Sequence, residues 1–303
     1  MGALEASAEE LAQWRSRAAG GDGAAVRMLG IVAAAGAGVP HDLAAALRHL
    51  QQAAEQGCRA SQSELAALVG NWRLVGEIAA GKGLQPGMPE RLRAAVDVAA
   101  WQRLPDGEVL SQAPRIALAR KFISAPLCDW LIRLGAPHLR AAEVYEPGSG
   151  EAAEHVGRTN RSVMLELKHT DAVLAFVRSR IAVLANVAIR GLEASQVLHY
   201  EVGQEFRPHH DFFDVSNPAY AREVARTGQR ALTVLVYLND GYQGGETAFP
   251  LLGRSFKGRK GDALVFWNVD EDGAPDWRTL HAGTAPTRGE KWLFSQWVRI
   301  RKP

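Results

Sequence analysis

The texture of the chain changes near residue 105, and that change constrains the fold more than any single motif. Up to about residue 100, alanine is dense and β-branched residues are few. Apolar side chains recur at intervals of three and four, as at Leu43, Leu47, Leu50 and Ala54. That spacing puts one apolar stripe on a helix. Asp42 is placed to cap such a helix and Gly57 to end it. Two Gly/Pro-rich stretches follow, at 81–89 and 104–114. We expect a domain boundary in the second, giving domains 1–105 and 106–303. Beyond it, 115–119 reads as a strand, and Ser124 is placed to cap a helix reaching about Leu134, with Gly135 ending it. Residues 171–184 read as a second long helix. From Ser195 onward short apolar runs alternate with Gly, Pro and Asp, most clearly at 196–200, 231–238, 263–267 and 292–300. Short strands punctuated by turns argue for an antiparallel sandwich or barrel. The expected class is therefore α+β, with an all-α first part.

Composition narrows the partners. The 303 residues are 47% apolar, enough for a sizeable core, and carry a formal charge of +2. Nothing in that balance favours nucleic acid or an anionic membrane. Two cysteines make no disulfide framework. Residues 1–10 have neither a basic flank nor an apolar core, so they do not read as a signal peptide. No apolar run approaches 18 residues. The expectation is a soluble protein of a reducing, cytoplasmic compartment.

The chemistry concentrates in Arg207-Pro208-His209-His210-Asp211. On an extended segment, side chains two apart share a face, so His209 and Asp211 can reach one ion while His210 points away. Pro208 suits an edge strand because it donates no ladder hydrogen bond. His281, in Leu280-His281-Ala282-Gly283, sits in an apolar, tight-turning setting. Taken alone it reads better as a buried, satisfied histidine. Together the three form the two-histidine, one-carboxylate set of a non-haem Fe(II) site, which leaves coordination positions open.

Lys291 shifts that balance. It follows a turn and opens the apolar run Trp292-Leu293-Phe294. A lysine pointing inward from such a strand has to meet an anion, because an unpaired buried ammonium is costly. A 2-oxo dicarboxylate that chelates the ion would present its far carboxylate there. Thr247 and the Tyr200 hydroxyl can add neutral hydrogen bonds to the same group.

Two resemblances follow from quoted residues. Ala18-Ala19-Gly20-Gly21-Asp22-Gly23-Ala24 with Leu29 aligns with Ala54-Glu55-Gln56-Gly57-Cys58-Arg59-Ala60 with Leu65, an offset of 36. With Gly36-Ala37-Gly38-Val39-Pro40-His41-Asp42 between them, this resembles the Sel1-like class of tetratricopeptide-type helical repeats. Such units need neighbours to bury their faces, and roughly three are required for stability. About one and a half are visible, so either helices from 72 to 100 are expected to complete the stack or the stack is expected to dock on the C-terminal domain. The alternative is an Ala-rich bundle with no binding role.

The second resemblance covers about 114–301. Glu193-x-x-Gln196-x-x-x-Tyr200-x-x-Gly203-Gln204, Pro208-His209-x-Asp211 and Gln229-Arg230-x-x-Thr233-x-x-x-Tyr237-Leu238-Asn239 carry its first half. Gly244-Gly245-Glu246-Thr247-x-Phe249-Pro250, Gly261-Asp262-Ala263-Leu264-x-Phe266-x-Asn268, His281-x-Gly283 and Gly289-x-Lys291-Trp292 carry the rest. Together these resemble the prolyl 4-hydroxylase family of Fe(II)/2-oxoglutarate-dependent oxygenases. The resemblance implies a double-stranded β-helix, or jelly roll, with flanking helices. It implies Fe(II) on His209, Asp211 and His281, and 2-oxoglutarate on Lys291, Thr247 and Tyr200. It places Arg230, Glu193, Arg158 and Trp297 around a substrate groove, with Phe206 where the family often has tyrosine. Arg158-Thr159-Asn160 stands where the family has Arg-Thr-Ser.

The implied reaction uses O2 and 2-oxoglutarate to hydroxylate an unactivated C–H, releasing succinate and CO2, with L-ascorbate as a candidate reductant. Related halogenases carry a small residue where Asp211 stands, so the carboxylate favours hydroxylation. The substrate expected first is a prolyl, or other, residue of a peptide or protein. A free amino acid or natural-product scaffold is the second reading. The third is a non-catalytic helical-repeat interaction protein with a degenerate oxygenase domain. The segment 212–228, with Asn217-Pro218, is a candidate lid; the alternative is a surface loop with a short helix.

Overall fold

The computed structural model describes residues 4–145, 152–154 and 157–301. The first three residues of the stretch read for a signal peptide lie outside them. The chain divides into two compact units. One comprises 4–104 with Glu166–Arg190; the other comprises Pro105–Leu165 with 191–301. Residues 166–190 fall inside the expected 106–303 block, yet they group with the N-terminal helices.

In the helical unit, two of the aligned segments form similar helix junctions. Helices Ala8–Ala19 and Gly23–Ala35 meet at Gly21, with φ +86°; helices Leu43–Glu55 and Arg59–Leu68 meet at Gly57, with φ +84°. At each junction an amide donates five residues back, Asp22 N to Arg17 O and Cys58 N to Ala53 O. Positive φ is where glycine carries no Cβ penalty, so both glycines let the chain reverse within three residues. Asp42 caps Leu43–Glu55 by accepting from Ala45 N at 2.8 Å, as the sequence predicts. A Cβ on Gly30 would stand 3.1 Å from Ala46 O, so a small residue there permits two helices to approach closely. Helices Trp72–Ala79, Met88–Ala95 and Val98–Gln102 follow. Helix Ala172–Ala185 joins them: Phe176 meets Trp101 edge-on at 5.5 Å, and Arg180 donates to Trp101 O at 2.7 Å. Val173, Leu174, Phe176, Val177 and Ile181 of that helix are all buried. A helix whose apolar residues cover most of its surface belongs largely to an interior.

The second unit is built from antiparallel sheets, so the molecule as a whole mixes helices with antiparallel sheet. The larger sheet runs Gly107–Gln112, Arg115–Ala119, Ala263–Trp267, Gln229–Tyr237, Lys291–Ile300, Ser195–Tyr200, Arg161–Leu165, Arg140–Ala141. A four-stranded sheet runs Arg254–Phe256, Thr247–Phe249, His281–Gly283, Phe206–His209. The central strands of the large sheet, Ala263–Trp267, Gln229–Tyr237, Lys291–Ile300 and Ser195–Tyr200, are buried almost throughout because both faces are covered. Leu198, Leu235, Tyr237 and Leu293 join one core, while Val197, Val236 and Phe294 are buried beside them in the sequence. Burying each such side chain stabilises by about 1.5–3 kcal/mol. On one strand the second face meets helix Ala125–Gly135: a Cβ on Gly135 would fall 2.8 Å from Val197, so only glycine fits that helix end.

The Gly261-Asp262 pair locks the turn before Ala263. Asp262 accepts from Lys121 N at 2.9 Å and from Arg120 at 3.0 Å. Gly261 has φ +91°, and a Cβ there would stand 2.3 Å from Ile123 O. No described helix is long and apolar enough to cross a membrane. Gly261→Ala therefore combines positive-φ strain with a backbone clash. A loss of at least about 2 kcal/mol in unfolding free energy is expected, read from the urea midpoint at unchanged slope.

Candidate active site

The two histidines converge because their strands pair. In the small sheet His281 lies directly opposite His209, and their rings are 4.3 Å apart. Asp211 follows on the same face as His209, and His210 turns the other way, toward Trp277 O at 3.0 Å. His209 Nε2 lies 3.7 Å from Asp211 Oδ1, and His281 Nε2 lies 3.6 Å from Asp211 Oδ2. All three donor atoms fall within 4.8 Å of one another. Bonds of about 2.1 Å at right angles separate donors by roughly 3 Å, close to this spacing.

Each ring is aimed by its other nitrogen. His209 Nδ1 donates to Arg207 O at 2.8 Å, and His281 Nδ1 donates to Thr279 O at 3.0 Å. Both bonds reach the carbonyl two residues back. They fix the tautomer that leaves Nε2 with a lone pair toward the centre. Burial lowers both imidazole pKa values, so the rings are neutral. For Asp211, burial acts upward, but attraction to His281 and His209 whenever either is protonated, together with a hydrogen bond from Thr233, outweighs it and the pKa is lowered. The set is deprotonated, the state in which it can bind a cation. Thr233 Oγ1 donates to Asp211 Oδ2 at 2.7 Å, and Asn268 Nδ2 donates to Thr233 Oγ1 at 2.9 Å. Phe206 stacks on the His209 ring at 3.5 Å, with Arg158 4.6 Å from the same phenyl.

Across the interior, Lys291 pairs in register with Tyr200. Lys291 is 0% exposed, and its Nζ has no hydrogen-bond partner among the described residues. Burial pushes its pKa down to about 7, against an upward pull from Glu246. The Tyr200 hydroxyl is pushed up to about 12 by burial and stays a donor. Gly283 makes room for it, since a Cβ there would stand 3.2 Å from the phenol oxygen. Thr247 Oγ1 lies 3.1 Å from Tyr237 OH. A buried ammonium with hydroxyls near it and no bonded anion fits the far carboxylate of a 2-oxo dicarboxylate.

One cavity gathers His209, Asp211, His281, Lys291, Thr247, Tyr200, Arg158, Phe206 and Trp297. Glu193 and Arg230 do not line it. They form a bidentate pair at 2.7 and 2.8 Å, with Arg299 Nε also on Glu193 at 2.6 Å. The Arg230 guanidinium lies 3.6 Å from the Trp297 ring, so the pair braces one wall. Segment 212–228 contains helix Pro218–Thr227, capped by Asn217, and Gln229 binds both backbone groups of Phe213 at 2.8 Å. Sequence reasoning assigned no role to Thr233, Asn268, Gln196 or Ser295. The signal for Thr233 was a small hydroxyl side chain among the aliphatic residues of the run Leu232–Val236.

The fold and this donor set define an Fe(II)- and 2-oxoglutarate-dependent oxygenase. Residues 195–299 match the 2OG-Fe(II) oxygenase superfamily. Prolyl 4-hydroxylase 1 of Arabidopsis thaliana is 35% identical over 206 residues, covering 63% of this chain and 71% of the plant protein. Probable prolyl 4-hydroxylase 3 of the same plant is 34% identical over 213 residues, covering 64% and 72%. The chain belongs to the prolyl 4-hydroxylase family of these oxygenases. Such enzymes use Fe(II), 2-oxoglutarate and O2. Among solved structures, the viral collagen prolyl hydroxylase of Paramecium Bursaria Chlorella virus-1, in its 2-oxoglutarate complex, is 25% identical. It aligns with a TM-score of 0.46 over 61% of this chain and 96% of that one.

Two outcomes follow. Thr233→Val removes a donor to Asp211, so metal affinity should fall roughly 10- to 100-fold by titration calorimetry, with the melting temperature little changed. Lys291→Met should abolish 2-oxoglutarate binding and stabilise the ligand-free protein at neutral pH. The sign follows from linkage. The folded pKa, about 7, lies below the unfolded value near 10.5. Between those values the unfolded chain binds more protons, so wild-type stability should gain with pH relative to Lys291→Met. Paired melting curves across that window would show the gap closing, and a constant gap would count against the burial argument.

Proposed function

We propose that this protein hydroxylates a prolyl residue within a peptide or protein. The observation that carries the reading is the unpartnered Lys291 ammonium, which shares a cavity with the His209, Asp211 and His281 donors. In this reading those three hold Fe(II), and Lys291, Thr247 and Tyr200 hold 2-oxoglutarate. Bound there, the ion and co-substrate supply the oxidising chemistry, with release of succinate and CO2. The chain's contribution is position. The Lys291 ammonium fixes one end of the co-substrate. Carbonyls of Arg207 and Thr279 hold the imidazoles at their angle, and apolar walls from Leu198, Leu235 and Leu293 keep bulk water out. Arg158, Phe206 and Trp297 face the substrate, while Glu193 and Arg230 hold the Trp297 ring in its plane.

The names of the plant relatives support a prolyl target. In the same reading the two facing sheets form a double-stranded β-helix. Residues 1–105 are assigned as a Sel1-like repeat domain that binds a protein or peptide partner, supported by the matched junctions at Gly21 and Gly57.

The test is conversion of 2-oxoglutarate to succinate by Fe(II)-loaded protein, with and without proline-containing peptides. Peptide should stimulate turnover, and His209→Ala should remove both turnover and iron binding. Stimulation by free amino acids alone would favour a small-molecule hydroxylase instead. Wild-type protein that binds no Fe(II) would leave an interaction protein.

A further inference from the structure

The inward face of the large sheet is ordered in rungs, and one rung has no part in the chemistry above. Strand register sets Tyr200 opposite Lys291, Leu198 opposite Leu293, and Gln196 opposite Ser295. The first rung is the charged one, the second is apolar, and the third is polar. All six side chains line the cavity. Gln196 is 5% exposed and Ser295 6%. Neither side chain makes a hydrogen bond to another described residue. A primary amide and a hydroxyl that face a cavity beside leucines, with no partner among the described residues, are available to bond a ligand.

Position argues what that ligand is. Gln196 and Ser295 lie four residues along their strands from Tyr200 and Lys291, roughly 13 Å away. That exceeds the length of a five-carbon dicarboxylate anchored at Lys291. On the neighbouring strand Ser295 is opposite Leu235, and Trp297 is opposite Thr233, the residue bonded to Asp211. The polar rung thus sits beside the iron donors and beyond the co-substrate anchor, where the reacting part of a substrate lies. Its chemistry is neutral. Gln196 offers a donor pair and an acceptor, and Ser295 offers one of each. A carboxylate would meet no cation in this rung, whereas a peptide group matches it.

We propose that Gln196 and Ser295 form the subsite that binds the backbone amide next to the reacting carbon of the substrate. The assignment rests on the peptide-hydroxylase reading and deepens it: the enzyme recognises the target as part of a chain. A prolyl carbonyl has no N–H of its own to compete and accepts from Gln196 Nε2 or Ser295 Oγ. The Gln196 carbonyl is then available to the N–H of the following residue.

The experiment compares wild type with Gln196→Leu, Ser295→Ala and Ser295→Thr. It measures KM for a proline-containing peptide and for 2-oxoglutarate, together with direct binding of a fluorescent form of the peptide. Melting curves certify that each variant folds. Each of the first two variants should raise the peptide KM and Kd about tenfold, the effect of one lost hydrogen bond in a buried site. Ser295→Thr, which keeps the hydroxyl, should restore most of it. The KM for 2-oxoglutarate should move far less than the peptide KM. Peptide-stimulated turnover with an unmoved peptide KM in both variants overturns this assignment alone. A rise confined to the 2-oxoglutarate KM gives the pair to the co-substrate and overturns it as well. Wild-type protein that turns over a free amino acid and ignores peptides overturns both this assignment and the reading beneath it.

Discussion

An ammonium enclosed between two sheets demands an anion, and the described residues give Lys291 none within hydrogen-bonding reach. Much of the β unit can be understood from that demand. Lys291 opens the longest strand of the large sheet and is set against Tyr200 by register, so the cation and the phenol approach the same space. Gly283, from the opposing sheet, leaves the phenol room. A carboxylate arriving from solution would restore the lysine to its ordinary charged state. The cost of keeping the site incomplete is met by the apolar burial of the strands around it.

The donor set depends on a second device, the use of backbone carbonyls to aim side chains. Strand pairing brings His209 and His281 face to face, but pairing alone leaves imidazole rings free to rotate. The carbonyls of Arg207 and Thr279 remove that freedom by the same two-residue reach on two different strands. Thr233 and Asn268 do the equivalent for Asp211. Rigid orientation matters because coordination is sensitive to angle, and side chains already held lose little entropy when they bind.

The sequence was most informative where periodicity and residue chemistry agreed. The strands at 196–200, 263–267 and 292–300 were legible from apolar runs between turns, and strand alternation separated His209 from His210. Asp42 and Gly57 were legible as helix punctuation. The small sheet was not, because its strands are three or four residues long, too short for any period to register. The Glu193–Arg230 pair was anticipated as groove wall; its guanidinium is spent on the carboxylate and on the Trp297 ring, and only a long-range pairing could reveal that. Gln196 and Thr233 stood in recognisable motifs, yet polar residues inside apolar strands do not announce their partners. The grouping of 166–190 was hidden for a similar reason. A mostly apolar helix shows that it is buried without showing among which neighbours.

That last helix alters how the two units can be thought of. The polypeptide crosses from the helical unit to the sheets at 104–105, returns at 165–166, and crosses again at 190–191. Three covalent crossings replace the single linker of beads on a string. The strands Arg161–Leu165 and Ser195–Tyr200, which pair side by side, are joined through a helix whose apolar surface belongs elsewhere. The loop between these neighbours therefore closes only as well as that helix finds its place among residues synthesised before it. Shuffling the oxygenase onto a different N-terminal partner would orphan Val173, Phe176 and Ile181.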